Sequence, residues 1–148
     1  MMRPEKIQDI LSLLQEAVFE ELSMSGSDLN FKIECRYLAD LIHKDYSCFY
    51  GVFKGCDDFY FTPWEDEMAV VVDVKEVKLF RPDILTVEVA ENGYIKIYSN
   101  CQNTYSGGNI YIKSSCIKIY DEDLQELSLE GLADLSDKYW YSDKQAEG

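Results

Sequence analysis

The feature that most constrains the fold is a strict alternation of isoleucine with tyrosine or lysine in the second half of the chain. It runs through YIKIYS (94–99), NIYIK (109–113) and CIKIY (116–120). Because successive side chains of a strand point to opposite faces, this period of two predicts three amphipathic strands. The isoleucines should form a buried face: Ile95, Ile97, Ile110, Ile112, Ile117 and Ile119. The other residues should face water or a ligand: Tyr94, Lys96, Tyr98, Tyr111, Lys113, Lys118 and Tyr120.

Further strands are predicted between residues 48 and 91. The segments CFYGVFK, DFYFT, MAVVVDV, VKLF and ILTVEVAE are short, rich in aromatic and β-branched residues, and separated by turn formers. Asn92-Gly93 lies between ILTVEVAE and YIKIYS and favours a two-residue hairpin with a primed turn. The neighbouring strands should therefore be antiparallel.

Residues 3–23, RPEKIQDILSLLQEAVFEELS, predict a long amphipathic helix. Pro4 suits a first helical position, and Gly and Ser in SMSGSD would end the helix. Its apolar residues recur at helical spacing: Ile7, Ile10, Leu11, Leu14, Ala17, Val18 and Leu22. The stripe needs a sheet or further helices to cover it.

Two other segments have helical spacing. In residues 29–46, Phe31, Ile33 and Cys35 alternate like a strand, whereas the spacing of Leu38, Leu41 and Ile42 favours a short helix, so both interpretations stay open. Residues 121–137, DEDLQELSLEGLADLSD, predict a C-terminal helix that Asp121 could cap. Gly131 weakens this helix and could divide it in two. Its stripe would be Leu124, Leu127, Leu132 and Leu135.

The order helix, many strands, helix predicts an α+β fold. We expect an antiparallel sheet of about six to eight strands, covered on one face by the N-terminal and C-terminal helices. A chain of 148 residues suits a single domain over 1–148, with residues 142–148 as a frayed tail. No apolar run approaches a membrane span and no apolar region follows Arg3, which indicates a cytoplasmic protein without membrane contact.

The five cysteines lack a C-x-x-C pair and are interpreted as reduced small hydrophobes: Cys35, Cys48, Cys56, Cys101 and Cys116.

The net charge of −14 is distributed unevenly along the chain. Residues 57–67 and 121–148 are strongly acidic, whereas residues 75–118 contain slightly more bases than acids. An acidic surface repels nucleic acid and attracts cationic proteins. Tyrosine and tryptophan lie within both acidic stretches and are the residue types that commonly anchor protein interfaces. The partner-binding candidates are Asp57, Asp58, Tyr60, Trp64, Glu65, Asp66 and Glu67, and a second group is Asp121, Glu122, Asp123, Glu126 and Trp140.

In size, acidity and α+β composition the chain resembles the small inhibitor and immunity proteins of bacteria and phages that block nucleases or other nucleic-acid machinery. The resemblance implies a non-enzymatic protein without a metal or cofactor. It would bind a basic protein, such as a nuclease or another nucleic-acid-binding enzyme, and not nucleic acid itself. Its carboxylates would occupy positions that phosphates take on the partner. Homodimerisation through an open sheet edge is an open alternative.

Other functions are compatible with parts of the sequence. The face formed by the tyrosines and lysines that alternate with the isoleucines could stack bases and bind RNA or another ligand. Asp66, Asp73 and Lys75 loosely match the acid and lysine pattern of metal-dependent nucleases, but an acid, any residue and lysine is a common chance pattern. Calcium binding by the acids of 57–67 lacks a recognisable loop motif. His43, the only histidine, is interpreted as a surface residue, and Ser106-Gly107-Gly108 as a hairpin turn.

Overall fold

The computed structural model describes residues 1–66 and 68–147, and over these residues the protein is α+β with two antiparallel sheets and four α-helices. The helices are α1 (Pro4–Ser12), α2 (Arg36–Ala39), α3 (Val74–Leu79) and α4 (Leu129–Glu147). The strands are β1 (Val18–Ser25), β2 (Asp28–Glu34), β3 (Cys48–Lys54), β4 (Asp58–Pro63), β5 (Thr86–Val89), β6 (Ile95–Asn100), β7 (Gly107–Lys113), β8 (Cys116–Tyr120) and β9 (Glu126–Leu127).

The strands form two sheets where the sequence predicted one. The five-stranded sheet has the order β1-β2-β3-β8-β9, and the four-stranded sheet has the order β4-β7-β6-β5. The chain changes sheet directly after β7, where Ser115 N–H and the Ser114 hydroxyl both donate to the Lys54 carbonyl at the end of β3. All six isoleucines are nevertheless buried as predicted, and residues of both sheets belong to one hydrophobic cluster.

A short extended segment, residues 82–85, joins the two sheets through backbone hydrogen bonds. On one side Phe19 N–H donates to the Pro82 carbonyl, and Ile84 N–H donates to Ala17. On the other side Asp83 N–H donates to Asn100, and Leu85 N–H donates to Tyr98. The segment therefore lies between β1 of one sheet and β6 of the other.

The N-terminal helix is shorter than predicted. It ends at Ser12, and Val18 and Leu22 lie in β1. A β-bulge explains the error, since the register with β2 shifts between Phe19 and Glu21. The extra residue leaves Phe19 and Leu22 both buried although they are three positions apart, which imitates the spacing of a helix.

Two of the predicted strands are absent from the described part of the chain between β4 and β5. Of VKLF, residues 77–79 lie in α3 and Phe80 is its C-cap, and of MAVVVDV only Val71 makes a bridge, to Phe61. Asp73 Oδ1 accepts a hydrogen bond from Lys75 N–H and thereby caps α3. The buried residues Val74, Val77 and Phe80 then recur at a spacing of three, which suits a helix. The remaining six predicted strands are confirmed, and in residues 29–46 both open interpretations hold, a strand (β2) followed by a helix (α2).

The C-terminal helix begins later than predicted. Asp121 caps a turn, accepting hydrogen bonds from Asp123 N–H and Gln125 N–H, and β9 follows that turn. The helix α4 begins at Leu129 and continues through Gly131 without division. Gly148 lies outside the described residues, and fraying over 142–148 stays a prediction.

The helices contact different parts of the molecule. Helix α1 buries Ile7, Ile10 and Leu11 and contacts β5 and β6, whereas α4 contacts α1 and α2. That both terminal helices cover one face of one sheet stays a prediction. Over residues 1–66 and 68–147, no helix combines the length and the apolar character that crossing a membrane requires.

Candidate functional site

The segment FYFTPWEDE (59–67) and the two aspartates before it combine aromatic side chains, which favour burial, with carboxylates, which favour water. Strand β4 separates the two kinds of side chain. Phe59 and Phe61 are buried, while Asp58 and Tyr60 alternate with them and are more exposed. Trp64 follows the strand, and its backbone N–H donates to the Gly107 carbonyl of β7. Alternation therefore places Asp58, Tyr60 and Trp64 on the outward face of the four-stranded sheet.

Tyrosines of the adjacent strands complete a cluster on this outward face. The Tyr60 and Tyr111 rings stack with centroids 4.6 Å apart at an interplanar angle of 14°, and Tyr94 approaches Tyr60 edge-on at 6.0 Å. Tyr98 on β6 lies on the same face. It pairs with Thr86 on β5 and with Asn109 on β7, and both partners also alternate with buried residues. We call this surface the aromatic face; it consists of Tyr60, Trp64, Tyr94, Lys96, Tyr98, Asn109, Tyr111 and Lys113.

The two lysines of the aromatic face lie over its rings. Lys96 Nζ is 4.5 Å from the centroid of Tyr98 and 5.7 Å from that of Tyr111. Lys113 Nζ is 5.6 Å from the Tyr94 centroid. These positions allow cation–π attraction within the chain. Lys118 and Tyr120, predicted to share this surface, belong to β8 in the other sheet.

Trp64 is held in place by residues of β7. Its indole Nε1–H donates to Asn109 Oδ1 at 2.9 Å, and its ring lies against Gly107, where any Cβ would overlap it. A Cβ on Gly108 would overlap the Phe61 ring in the same way. The glycine pair therefore belongs to β7 and makes room for two rings, whereas the predicted turn lies in the preceding residues.

Two open clefts lie on the aromatic face. One, of about 620 Å³, is lined by Thr62, Pro63, Trp64, Tyr98, Asn109 and Tyr111. The other, of about 460 Å³, extends from Tyr60, Tyr94, Lys96 and Tyr111 to the β5–β6 hairpin, where Glu88 and Glu91 contribute carboxylates. In that hairpin Asn92 and Gly93 both have positive φ, as a primed turn requires. The predicted two-residue connection is wrong, because Val89 pairs with Ile95 and Ala90 N–H donates to the Tyr94 carbonyl, which leaves three residues, 91–93, between the strands.

Carboxylates of the face orient its tyrosines. Tyr94 OH donates to Asp58 Oδ2 at 2.6 Å, and this hydrogen bond raises the pKa of Tyr94 to about 12. Tyr98 OH donates to Glu88 Oε2 at 2.9 Å. Burial raises the pKa of Tyr60 as well. The rings are thus fixed by hydrogen bonds and stacking before any partner arrives.

The acids predicted as one cluster over 57–67 are divided between the two ends of β4. Asp57 precedes the strand and Asp58 begins it, whereas Glu65 and Asp66 follow it, so the length of β4, about 20 Å at the rise of a strand, separates the two pairs. The Ser106 hydroxyl and N–H both donate to Glu65, which lowers the pKa of Glu65. Asp66 accepts from Met68 N–H. Glu67 lies outside the described residues.

The second predicted group is only partly available to a partner. Asp121 is 6% exposed and holds a turn, and Glu122 accepts a hydrogen bond from Ser47 N–H at 2.6 Å. Asp123 and Glu126 are exposed, and Trp140 is 55% exposed on α4. These residues belong to a turn, a two-residue strand and a helix, and none belongs to the four-stranded sheet. Asp121 therefore has a structural role in this turn, and a role in partner binding stays a prediction.

The geometry does not favour the metal-based alternatives. Asp73 caps α3 and Lys75 lies in the first turn of that helix, so Asp73 has a structural partner in Lys75 N–H. Among the described residues, no group of three or more His, Cys, Asp or Glu side chains is placed to hold a metal ion. His43 stacks on Tyr46, and its Nδ1 accepts from Asp45 N–H.

The cysteines are free thiols in the structure. Burial raises the pKa of Cys35 to about 12 and that of Cys101 to about 11. It also raises the pKa of Cys48 and Cys56. Thiols of this kind are poor nucleophiles at neutral pH, which agrees with their interpretation as small hydrophobes.

Sequence reasoning missed how Trp64 joins the tyrosines. It placed Trp64 with the acids and the tyrosines on a separate surface, although the pairing of β4 with β7 unites them. The available signal was Gly107-Gly108, because two glycines at the start of a strand indicate close approach of other groups.

Comparison with protein-family models, with curated proteins and with solved structures found no match for the chain.

Proposed function

We propose that this protein is a non-enzymatic inhibitor that binds a basic partner protein through the aromatic face. The partner would be a nuclease or another nucleic-acid-processing protein, blocked in a stoichiometric complex. The observation that carries the proposal is the set of aromatic side chains on the outward face of one sheet, surrounded by carboxylates. In this proposal the helices pack elsewhere and leave that face accessible, and the protein acts in the cytoplasm.

The centre of the aromatic face has the composition of an interface core. Tyrosine and tryptophan bury a large rigid area, and they dominate the binding energy of many protein complexes. Here Tyr60 is stacked, and Trp64, Tyr94 and Tyr98 donate hydrogen bonds within the chain. Side chains that are already ordered lose less conformational entropy when a partner binds.

The rim of the face supplies the charge that selects a basic partner. Asp57 lies at one end of β4, Glu65 and Asp66 at the other, and Glu91 at the β5–β6 hairpin. Internal hydrogen bonds orient some of these carboxylates without neutralising them, and the whole chain carries a charge of −14. Such a field accelerates encounters with a cationic surface, and added salt weakens it.

A second candidate uses the same rings to bind single-stranded RNA. Lys96 and Lys113 lie on the aromatic face, and bases stack on aromatic side chains in many single-strand-binding proteins. The acidic rim would repel the phosphates, which is why we prefer a protein partner. The two candidates differ in the sign of the partner's charge.

A capture experiment with matched variants tests the proposal. Immobilised protein would be incubated with nuclease-treated host lysate at low salt and at about 0.5 M salt. The face variant is Tyr60→Ala with Tyr111→Ala, and Tyr141→Ala is the control because Tyr141 is an exposed aromatic on α4, outside the sheet and outside both predicted groups. We expect the wild type and the control to retain a basic protein at low salt, and the face variant to lose it.

Inhibition must accompany capture. The activity of the retained protein on nucleic acid should fall in proportion to added wild-type protein and reach its minimum near equimolar amounts. Equal retention by the face variant would contradict the role of the aromatic face. Retention of RNA from an untreated lysate, with no basic protein, would favour the second candidate.

A further inference from the structure

The cleft between Trp64 and Tyr98 has a defined construction. Aromatic side chains of three segments line it, with Trp64 after β4, Tyr98 on β6 and Tyr111 on β7. Asn109 lies between them in the sheet and holds the indole through Oδ1. A volume of about 620 Å³ is ample for one side chain of a partner.

Charge lies around this cleft and not within its lining. Its six lining residues include no aspartate, glutamate, lysine, arginine or histidine, but acids adjoin two of them. Glu65 follows Trp64 in the chain, and Glu88 accepts the hydrogen bond from Tyr98 OH. A cation in the cleft would therefore rest on aromatic rings with carboxylates nearby, a combination that favours positive charge.

The chain already places a cation on these rings. Lys96 Nζ lies 4.5 Å from the Tyr98 centroid and 5.7 Å from the Tyr111 centroid. Both rings also line the cleft, whereas Lys96 itself does not, so rings of the cleft accept a cation that lies outside its lining. The Trp64 ring lies on the other side of the cleft, and the residue is 39% exposed.

From this geometry we infer that the cleft receives an arginine side chain of the partner protein, and this inference rests on the proposed function. A guanidinium group is planar and weakly hydrated, so it stacks on aromatic rings better than an ammonium group does. Its several N–H groups can donate to Asn109 Oδ1, which has a second lone pair, while still reaching a flanking carboxylate. A lysine ammonium has three N–H groups, but it is a compact, strongly hydrated point charge without a plane that can stack on the rings, so the cleft distinguishes arginine from lysine at equal charge.

Two capped peptides of equal length test the inference, one alternating glycine with arginine and the other glycine with lysine. The protein would carry Trp140→Phe, so that fluorescence reports Trp64 alone. We expect the arginine peptide to quench Trp64 and to bind about two- to five-fold more tightly than the lysine peptide, the range for a cation–π contact at an exposed site. In NMR spectra of the wild type, the indole N–H signal of Trp64 should shift and that of Trp140 should not.

Variants separate the cleft from general attraction to an acidic protein. Tyr98→Phe keeps the ring and should keep the preference, whereas Tyr98→Leu removes the ring and should abolish the preference without abolishing charge-driven binding. Equal affinities of the two peptides, or no peptide-induced change at Trp64, would overturn the inference. If the face variant still lost the captured protein in that case, the proposed function would stand without an arginine anchor.

Discussion

At the scale of single residues, Gly107 and Asn109 define where Trp64 lies. Asn109 accepts the indole hydrogen bond, and the absence of a side chain on Gly107 leaves the space that the ring occupies. Both residues are on β7, so a strand of the sheet positions a side chain that lies beyond the end of β4. A tryptophan predicted as an interface anchor among acids is therefore held against a strand of the sheet.

Substituting Gly107 by alanine should displace that ring. The new Cβ would overlap Trp64 and would also lie 2.7 Å from the Ser99 carbonyl, a backbone atom that cannot easily move. We expect a loss of about 1–3 kcal/mol in the free energy of unfolding. Urea denaturation would measure it, and the Trp64 emission of the folded protein should change too.

Gly26→Ala provides the comparison for Gly107→Ala. Gly26 has a φ of +62°, and a Cβ added there would meet no atom within 4 Å, so only backbone strain opposes the change. We expect a smaller loss, about 1 kcal/mol, with unaltered Trp64 emission. Equal effects of the two substitutions on stability and emission would contradict the close packing of Trp64 on Gly107.

The lowered pKa of Glu65 predicts a dependence of stability on pH. The Ser106 hydroxyl and N–H stabilise the charged carboxylate in the folded protein. A depressed folded-state pKa contributes stability that is present above the unfolded value, 4.5, and is lost as pH falls through the folded value. Thermal melts from neutral to acidic pH should therefore show a shallower acid decline for Glu65→Gln than for the wild type.

Ser106→Ala gives an independent check on the same interaction. It removes the hydroxyl donor and keeps the backbone N–H, so the acid decline should lie between those of the wild type and Glu65→Gln. An unchanged acid decline in both variants would show that Glu65 is not held by Ser106 in solution.

At the scale of elements, the sequence correctly predicted the segments in which several signals for the same structure agreed. For β6, β7 and β8 the alternation was long and flanked by turns, and all three strands are confirmed with the isoleucines buried. The prediction of the N-terminal helix was wrong beyond Ser12, because a bulge gave the apolar residues of β1 a helical spacing. The strands predicted at MAVVVDV and VKLF were wrong because the prediction relied on strand propensity alone. Two helical signals were present, since Asp73 could cap a helix and the buried residues after it recur at every third position.

The cap of α3 offers a test that also separates structure from metal chemistry. Asp73→Ala removes the side-chain acceptor for Lys75 N–H and should cost about 1 kcal/mol of stability, measured by urea denaturation. Asp73→Asn keeps an acceptor oxygen and should cost much less. A metal-dependent nuclease would lose its activity in Asp73→Asn, so Mg²⁺-dependent cleavage of DNA or RNA by the wild type, abolished by this substitution, would contradict the structural role.

At the scale of the whole molecule, the division into two sheets was beyond sequence reasoning. Alternation identifies which face of a strand is buried, but every antiparallel arrangement of amphipathic strands satisfies it equally. The separation arises from long-range pairing, of β8 with β3 and of β4 with β7. The same pairing assembles the aromatic face, whose residues other than Asn109 the sequence identified but divided between two surfaces.

The segment 82–85 predicts that the two sheets unfold together. It is bonded to β1 on one side and to β6 on the other, and residues of both sheets share one hydrophobic cluster. In a Trp140→Phe background, Trp64 fluorescence reports the four-stranded sheet, and far-UV circular dichroism reports both sheets. We expect coincident urea transitions, whereas two separated transitions would show independent units.

The alternation along β4, β6 and β7 also affects how such a protein can change over generations. Residues that would contact a partner occupy one set of positions, and residues that hold the core occupy the interleaved set. Tyr60, Tyr98 and Tyr111 can thus be exchanged without altering the buried phenylalanines and isoleucines that alternate with them. If the target mutates to escape, new contacts can be selected on the outward positions while the inherited scaffold is preserved.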